Sequence, residues 1–110
     1  WVKMHAHYAL ALALLRAGDG AGARASAESA LDIATRFGRA DTLWRTLVLA
    51  GKASRLAGDP AAARNYFDRA AETLAQFEQS LGAEAAGYLS RPDVQWLRGE
   101  FGVSTASAPH

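Results

Sequence analysis

The stretch Leu56-Ala57-Gly58-Asp59-Pro60-Ala61-Ala62-Ala63-Arg64-Asn65-Tyr66-Phe67-Asp68-Arg69-Ala70 decides the fold. Leu56-Ala57 closes one helix, Gly58-Asp59 turns the chain, and Pro60 opens the next. Glycine takes the left-handed backbone of a helix end without a Cβ penalty. Aspartate is a good N-cap, and proline at the first helical position loses only an N–H that has no intrahelical partner there. A second copy lies upstream as Arg16-Ala17-Gly18-Asp19-Gly20-Ala21-Gly22-Ala23-Arg24-Ala25-Ser26-Ala27-Glu28-Ser29-Ala30, which sets Gly18 and Gly58 40 positions apart. A fixed period of this size marks helix-turn-helix units that bury their apolar stripes only by stacking.

Working outward, the spacing of apolar residues predicts a first helix over 2–17, with His7, Leu10, Ala11, Leu14 and Ala17 inward. A second is expected over 21–37, with Ala23, Ala27, Ala30, Leu31 and Ala34 inward and Gly38 as its stop. Asp41 should cap a third over 42–57, facing inward with Trp44, Leu47, Ala50, Gly51 and Ser54. Glycine inside a helix costs about 1 kcal/mol against alanine, so Gly51 calls for close approach by a neighbouring helix. The fourth helix is expected over 60–81, with Ala63, Phe67, Ala70, Ala71, Leu74 and Phe77 inward and Gly82 at its end. A short helix over 83–89, the break Ser90-Arg91-Pro92-Asp93 and a last helix to Phe101 follow, with Val94, Leu97 and Phe101 on one side. No segment alternates β-branched residues with a period of two, so no sheet is expected.

The chain has 110 residues, enough for one small domain, with 50% hydrophobic and 21% charged residues. Its net charge of +1 offers no strong field for nucleic acid or an anionic membrane. Cysteine is absent, which excludes disulfides, thiolate catalysis and cysteine-based zinc sites. Alanine dominates, and arginine far outnumbers lysine, present only as Lys3 and Lys52. This skew fits an all-helical chain from a high-GC bacterium, and the expected location is the cytoplasm. No apolar run approaches the ~18 residues that suggest a membrane span. The run from Tyr8 to Leu15 ends at Arg16 and lacks the flanks of a signal peptide. With Trp1 first and no initiating methionine, the expectation is a piece of a longer protein.

Candidate chemistry is sparse. His5 and His7 would share a face in a strand, but on a helix they diverge by roughly 200° at ~100° per residue, and no third ligand is near. The serines sit among alanines without a Gly-x-Ser-x-Gly elbow. Gly18-Asp19-Gly20-Ala21-Gly22 is glycine-rich before a helix, yet lacks the preceding strand and following Gly-Lys-Ser/Thr of phosphate loops. The expectation is therefore no enzyme, no cofactor and no metal. Arg45 and Lys52 are seven positions apart and nearly on one helix face, with Val48 and Leu49 between them and Arg55 and Leu56 beyond. Either these residues face a ligand, or the aliphatics pack on a neighbouring unit with the charges solvated.

These units resemble the tetratricopeptide repeat. In the downstream unit the matching positions are Leu47, Ala50, Gly51, Ser54, Gly58-Asp59, Ala63, Phe67 and Ala70, with Ser54 where the family has an aromatic. Upstream they are His7, Leu10, Ala11, Leu14, Gly18-Asp19, Ala23, Ala27 and Ala30, with Ala27 where a Phe or Tyr is expected. The period exceeds the family's usual ~34 and looks like the long-repeat branch of large bacterial regulators and ATPases. The resemblance covers roughly residues 4–80. It implies an all-α fold of antiparallel helix-turn-helix repeats stacked as a short α-solenoid. Residues 1–82 would form two hairpins, 83–101 a C-terminal capping helix or helices, and 102–110 a flexible tail.

The resemblance also implies a function, a protein–protein interaction scaffold within a larger bacterial regulatory or signalling protein. Its concave groove would be lined by Tyr8, Leu12, Arg45, Val48, Leu49, Lys52 and Arg55, with His5, Ala9 and Arg16 at matching upstream positions. A basic rim over an apolar floor suits an acidic or amphipathic protein or peptide. The clamp that some members use for a C-terminal carboxylate is absent, because Ala9 and Leu49 stand at its asparagine positions. Nucleic acid would need aromatics on one basic face, which Trp44, Tyr66, Tyr88 and Trp96 do not provide in sequence. Two units are fewer than stacking usually needs. The alternative function is accordingly homodimerisation or structural capping with no outside ligand, with Trp1, Met4 or Trp96 at the contact.

Overall fold

The computed structural model describes residues 2–37 and 40–106, and every element among them is helical. The helices are α1 (Val2–Arg16), α2 (Gly20–Phe37), α3 (Ala40–Leu56) and α4 (Pro60–Leu81). A 3-10 turn over Gly82–Glu84 then leads to α5 (Ala85–Leu89) and α6 (Pro92–Ala106). No helix among the described residues is long and apolar enough to cross a membrane.

The two Gly-Asp turns are copies of one another. Gly18 and Gly58 have φ of 80° and 86°. Asp19 N donates to Leu14 O at 2.9 Å, and Asp59 N donates to Ser54 O at 2.9 Å. Gly18 N bonds Leu15 O and Gly58 N bonds Arg55 O, both at 3.1 Å. This paired closure satisfies the carbonyls that a helix end leaves over. Each aspartate then caps the next helix, Asp19 Oδ1 accepting from Gly22 N at 2.9 Å and Asp59 Oδ1 from Ala62 N at 3.1 Å. The 40-residue period in sequence is thus a period in hydrogen bonding.

Packing follows chain order. Helix α2 packs against α1 and α3, α4 against α3 and α6, and α3 also meets α1 and α6. The shortest dimension is 22 Å, two helix diameters of about 10–12 Å each. Helix α3 is the spine: every position from Trp44 to Ser54 is buried except Arg45 and Lys52. The inward residues expected on α2 and α3 are all buried. On α4, Ala63, Phe67, Ala70 and Leu74 are buried, with Ala71 and Phe77 partly so.

Three expectations need correction. On α1, Leu10 is 49% exposed and Ala17 is exposed, while Ala11 is fully buried and Tyr8, Leu12, Leu14 and Leu15 pack at the core's edge. Asp41 does not cap α3, which begins at Ala40 and places Asp41 in its first turn. Helix α6 runs past Phe101 to Ala106, where a tail was expected. The expected stop at Gly38 and residues 107–110 lie outside the described residues, as do the side chains of Trp1, Met4 and Phe101.

Candidate functional site

A groove runs along the seam between α1 and α3, built as three adjoining cavities. The first, about 280 Å³, is lined by His5, Tyr8, Asp41, Thr42 and Arg45. The second, about 240 Å³, shares Tyr8 and Arg45 with it and adds Leu12, Arg16, Leu49, Lys52, Asp93, Trp96 and Leu97. The third, about 480 Å³, shares Arg16 and Lys52 with the second and adds Leu15, Arg55 and Leu56. Tyr8, Leu12, Leu15 and Leu49 give an apolar floor, and Arg16, Lys52 and Arg55 converge at the end where α1 and α3 terminate.

Of the seven residues expected to form the groove, Tyr8, Leu12, Arg45, Leu49 and Lys52 line one cavity together, and Arg55 lines the next. Val48 is fully buried and lines none of these cavities; it belongs to the core. Leu49, 2% exposed, closes the floor. The helical period explains the division: on α3 only the side bearing residues 45, 52 and 55 escapes its neighbours.

Sequence reasoning missed the third wall. Asp93, Trp96 and Leu97 come from α6, and nothing local in the sequence pairs them with α3. Arg45 is the joint. Its Nη1 lies 2.9 Å from Asp93 Oδ2, and its Nε lies 3.1 Å from Asp41 Oδ1. Tyr88 on α5 completes the cluster by donating to Asp41 Oδ1 and accepting from Trp44 Nε1 at 2.9 Å. The Tyr88 ring meets Phe77 edge-on at 4.9 Å between centroids. At the other end of the cavity, Lys52 Nζ stands 4.2 Å from the centre of the Trp96 ring, within cation–π range.

Electrostatics follow this geometry. Burial pushes the Asp41 carboxyl up, but the Tyr88 hydroxyl and the Arg45 guanidinium outweigh it and hold its pKa below the ordinary carboxylate value. Asp93 behaves alike: burial raises it, and Arg45 with Arg91 lowers it further. Burial disfavours the charge on Arg45, yet its two carboxylates raise its pKa above the usual guanidinium value. Burial raises the Tyr8 phenol, with Arg45 opposing. The groove is therefore uneven. Arg45 is balanced by Asp41 and Asp93 at one end, and Arg16, Lys52 and Arg55 gather at the other.

A second polar cluster joins α2 to the Gly58-Asp59 turn and to α4. Arg24 Nη1 on α2 lies 3.1 Å from Asp59 Oδ2, and Tyr66 donates to Glu28 Oε2 at 3.2 Å. The backbone N–H of Ala62 and then Arg24 keep the Asp59 carboxyl below its ordinary pKa. This cluster stitches one hairpin to the next and lines none of the three groove cavities. Among the described residues no group of three or more His, Asp or Glu could hold a metal ion.

Compared with known proteins, the chain matches no family model, no curated protein and no solved structure.

Proposed function

We propose that the chain is a tetratricopeptide-like protein–protein interaction module, a short stack of helical hairpins that seats an acidic, amphipathic segment of another protein in the α1–α3 groove. The observation that carries this reading is the continuity of the three cavities, apolar along the floor and basic at the Arg16, Lys52 and Arg55 end. Charge would steer the partner and apolar contact would retain it. The repeated turn geometry, with its period of 40 residues, supports stacked repeats as the frame. The alanine- and arginine-rich composition suits a bacterial parent protein, the resemblance to long-repeat bacterial proteins implies a cytoplasmic regulatory or signalling role, and the module is read as non-enzymatic.

The test is titration of the full chain with acidic amphipathic peptides. Binding that disappears in Lys52→Glu with Arg55→Glu, and weakens with added salt, supports the groove. Peptide affinity indifferent to both changes refutes it.

A homodimer is the second reading. It is favoured by Leu10 on α1, 49% exposed on a helix with no charged residue between Lys3 and Arg16. A dimer in light scattering that persists in high salt and is lost in Leu10→Glu would support it.

A further inference from the structure

We infer that the groove selects helical partners carrying a carboxylate and, one turn later, an aromatic ring, and that α6 is an internal copy of such a partner. The inference rests on the groove reading above and names the partner's chemistry. Helix α6 brings Asp93 and Trp96, three positions apart and so neighbours on a helical surface, to Arg45 and Lys52. Asp93 Oδ2 sits 2.9 Å from Arg45 Nη1, and the Trp96 ring centre lies 4.2 Å from Lys52 Nζ. Leu97 adds a buried aliphatic to the floor made by Leu12 and Leu49. One ion pair, one cation–ring contact and one aliphatic anchor are what a groove with two cations above leucines can recognise.

Helix α6 is lightly held. Among its described side chains only Val94 and Leu97 are buried, and Trp96 keeps 60% of its surface exposed. A segment with so few buried apolar contacts opens more readily than the core it leaves. Arg45 and Lys52 serve α6 and a partner with the same atoms, so the two exclude each other. The apparent affinity for the partner is then reduced by the fraction of molecules in which α6 is seated.

The experiment uses the full chain and a fluorescent peptide copying residues 91–106 as the probe, with a second peptide in which the tryptophan is alanine. In Asp93→Arg we expect probe affinity at least ten-fold above that of the unaltered chain. Amides 95–99 should lose hydrogen-exchange protection while α1 to α4 keep theirs. Asp93→Asn, which perturbs α6 less, should shift both readouts in the same direction, and the alanine peptide should bind more weakly than the probe in every case. If α6 loosens and the probe binds no better, α6 is only a cap and the inference falls. It also falls if α6 keeps its protection in both variants. Equal binding of both peptides to all three chains, abolished by Lys52→Glu, would sink this inference and leave the groove standing. No binding of either peptide to any of them would sink both.

Discussion

Gly51 on α3 presses its backbone against the Phe67 ring of α4: a Cβ at position 51 would lie 2.6 Å from Phe67 Cε1. The missing side chain is the reason the two helices meet so closely around a ring that is 3% exposed. Gly51→Ala gains helix propensity, yet we expect a net loss of about 1–3 kcal/mol because the buried ring must shift. Phe67→Ala should lose about 3–5 kcal/mol through its cavity. In Gly51→Ala with Phe67→Ala the methyl has room, so the two losses should fall short of adding. Urea denaturation of the four chains checks this; strict additivity would separate Gly51 from Phe67.

Gly20 is a second close approach, between backbones. A Cβ there would lie 2.6 Å from the amide nitrogen of Ala57 and 2.7 Å from the carbonyl carbon of Leu56. The start of α2 is thereby held against the turn that follows α3. Backbone cannot rotate aside as a flexible side chain can, so Gly20→Ala should cost about 2 kcal/mol or more. Gly99 on α6 has nothing within 4 Å of its Cβ position, and Gly99→Ala should gain up to about 1 kcal/mol in the stability of α6. Thermal melting of the first and hydrogen exchange within α6 of the second are the measurements.

How much of this could be read in the sequence varies by element. The turns were fully legible, because Gly-Asp at a helix boundary has one inexpensive geometry. So were the inward residues of α2, α3 and α4, where polar residues set the phase of the apolar stripe. Helix α1 lacks that phase. From Met4 to Leu15 it carries no charged residue, and a helix apolar all round does not say which side faces in. The register of α3 therefore misled at Leu10: among the described residues α3 packs on α1, α2, α4 and α6, while α1 packs on α2 and α3. Within the groove, the cations of α3 were legible from their spacing. The second carboxylate that meets Arg45 was not, because Asp93 is distant in sequence and the docking of α6 brings it near.

Ser54 on α3 is fully buried, and among the described residues its Oγ has no hydrogen-bond partner. A buried hydroxyl without a partner carries its desolvation cost uncompensated. Ser54→Ala removes that cost, keeps the backbone bond from Asp59 and improves helix propensity. We expect a gain of about 1 kcal/mol in unfolding free energy by denaturant titration. A loss of that size would mean that the hydroxyl has a partner in solution.

The seating of α6 should depend on acid, and the sign follows from Asp41 and Asp93. Both carboxyls are held below their ordinary pKa in the folded chain, with Arg45 common to the two. A depressed carboxyl contributes stability that is present above the unfolded pKa of about 3.9 and lost as pH falls through the folded value. The window therefore opens near pH 4 and extends below it; between pH 5 and 8 these two groups leave the docking of α6 unchanged. The other groups facing the cluster are His5, which lines the cavity of Asp41 and Arg45, Tyr8 and Tyr88, both raised by burial, and Arg91. Neither phenol loses or gains a proton in the acid window. Following α6 amide protection from pH 6 to pH 3 should show it declining while α2 and α3 stay protected. Asp93→Asn should flatten most of that decline and lower protection at pH 6, because the amide keeps a hydrogen-bond acceptor and loses the charge. A decline of the same size in Asp93→Asn would place the acid sensitivity elsewhere than at the Arg45 pair.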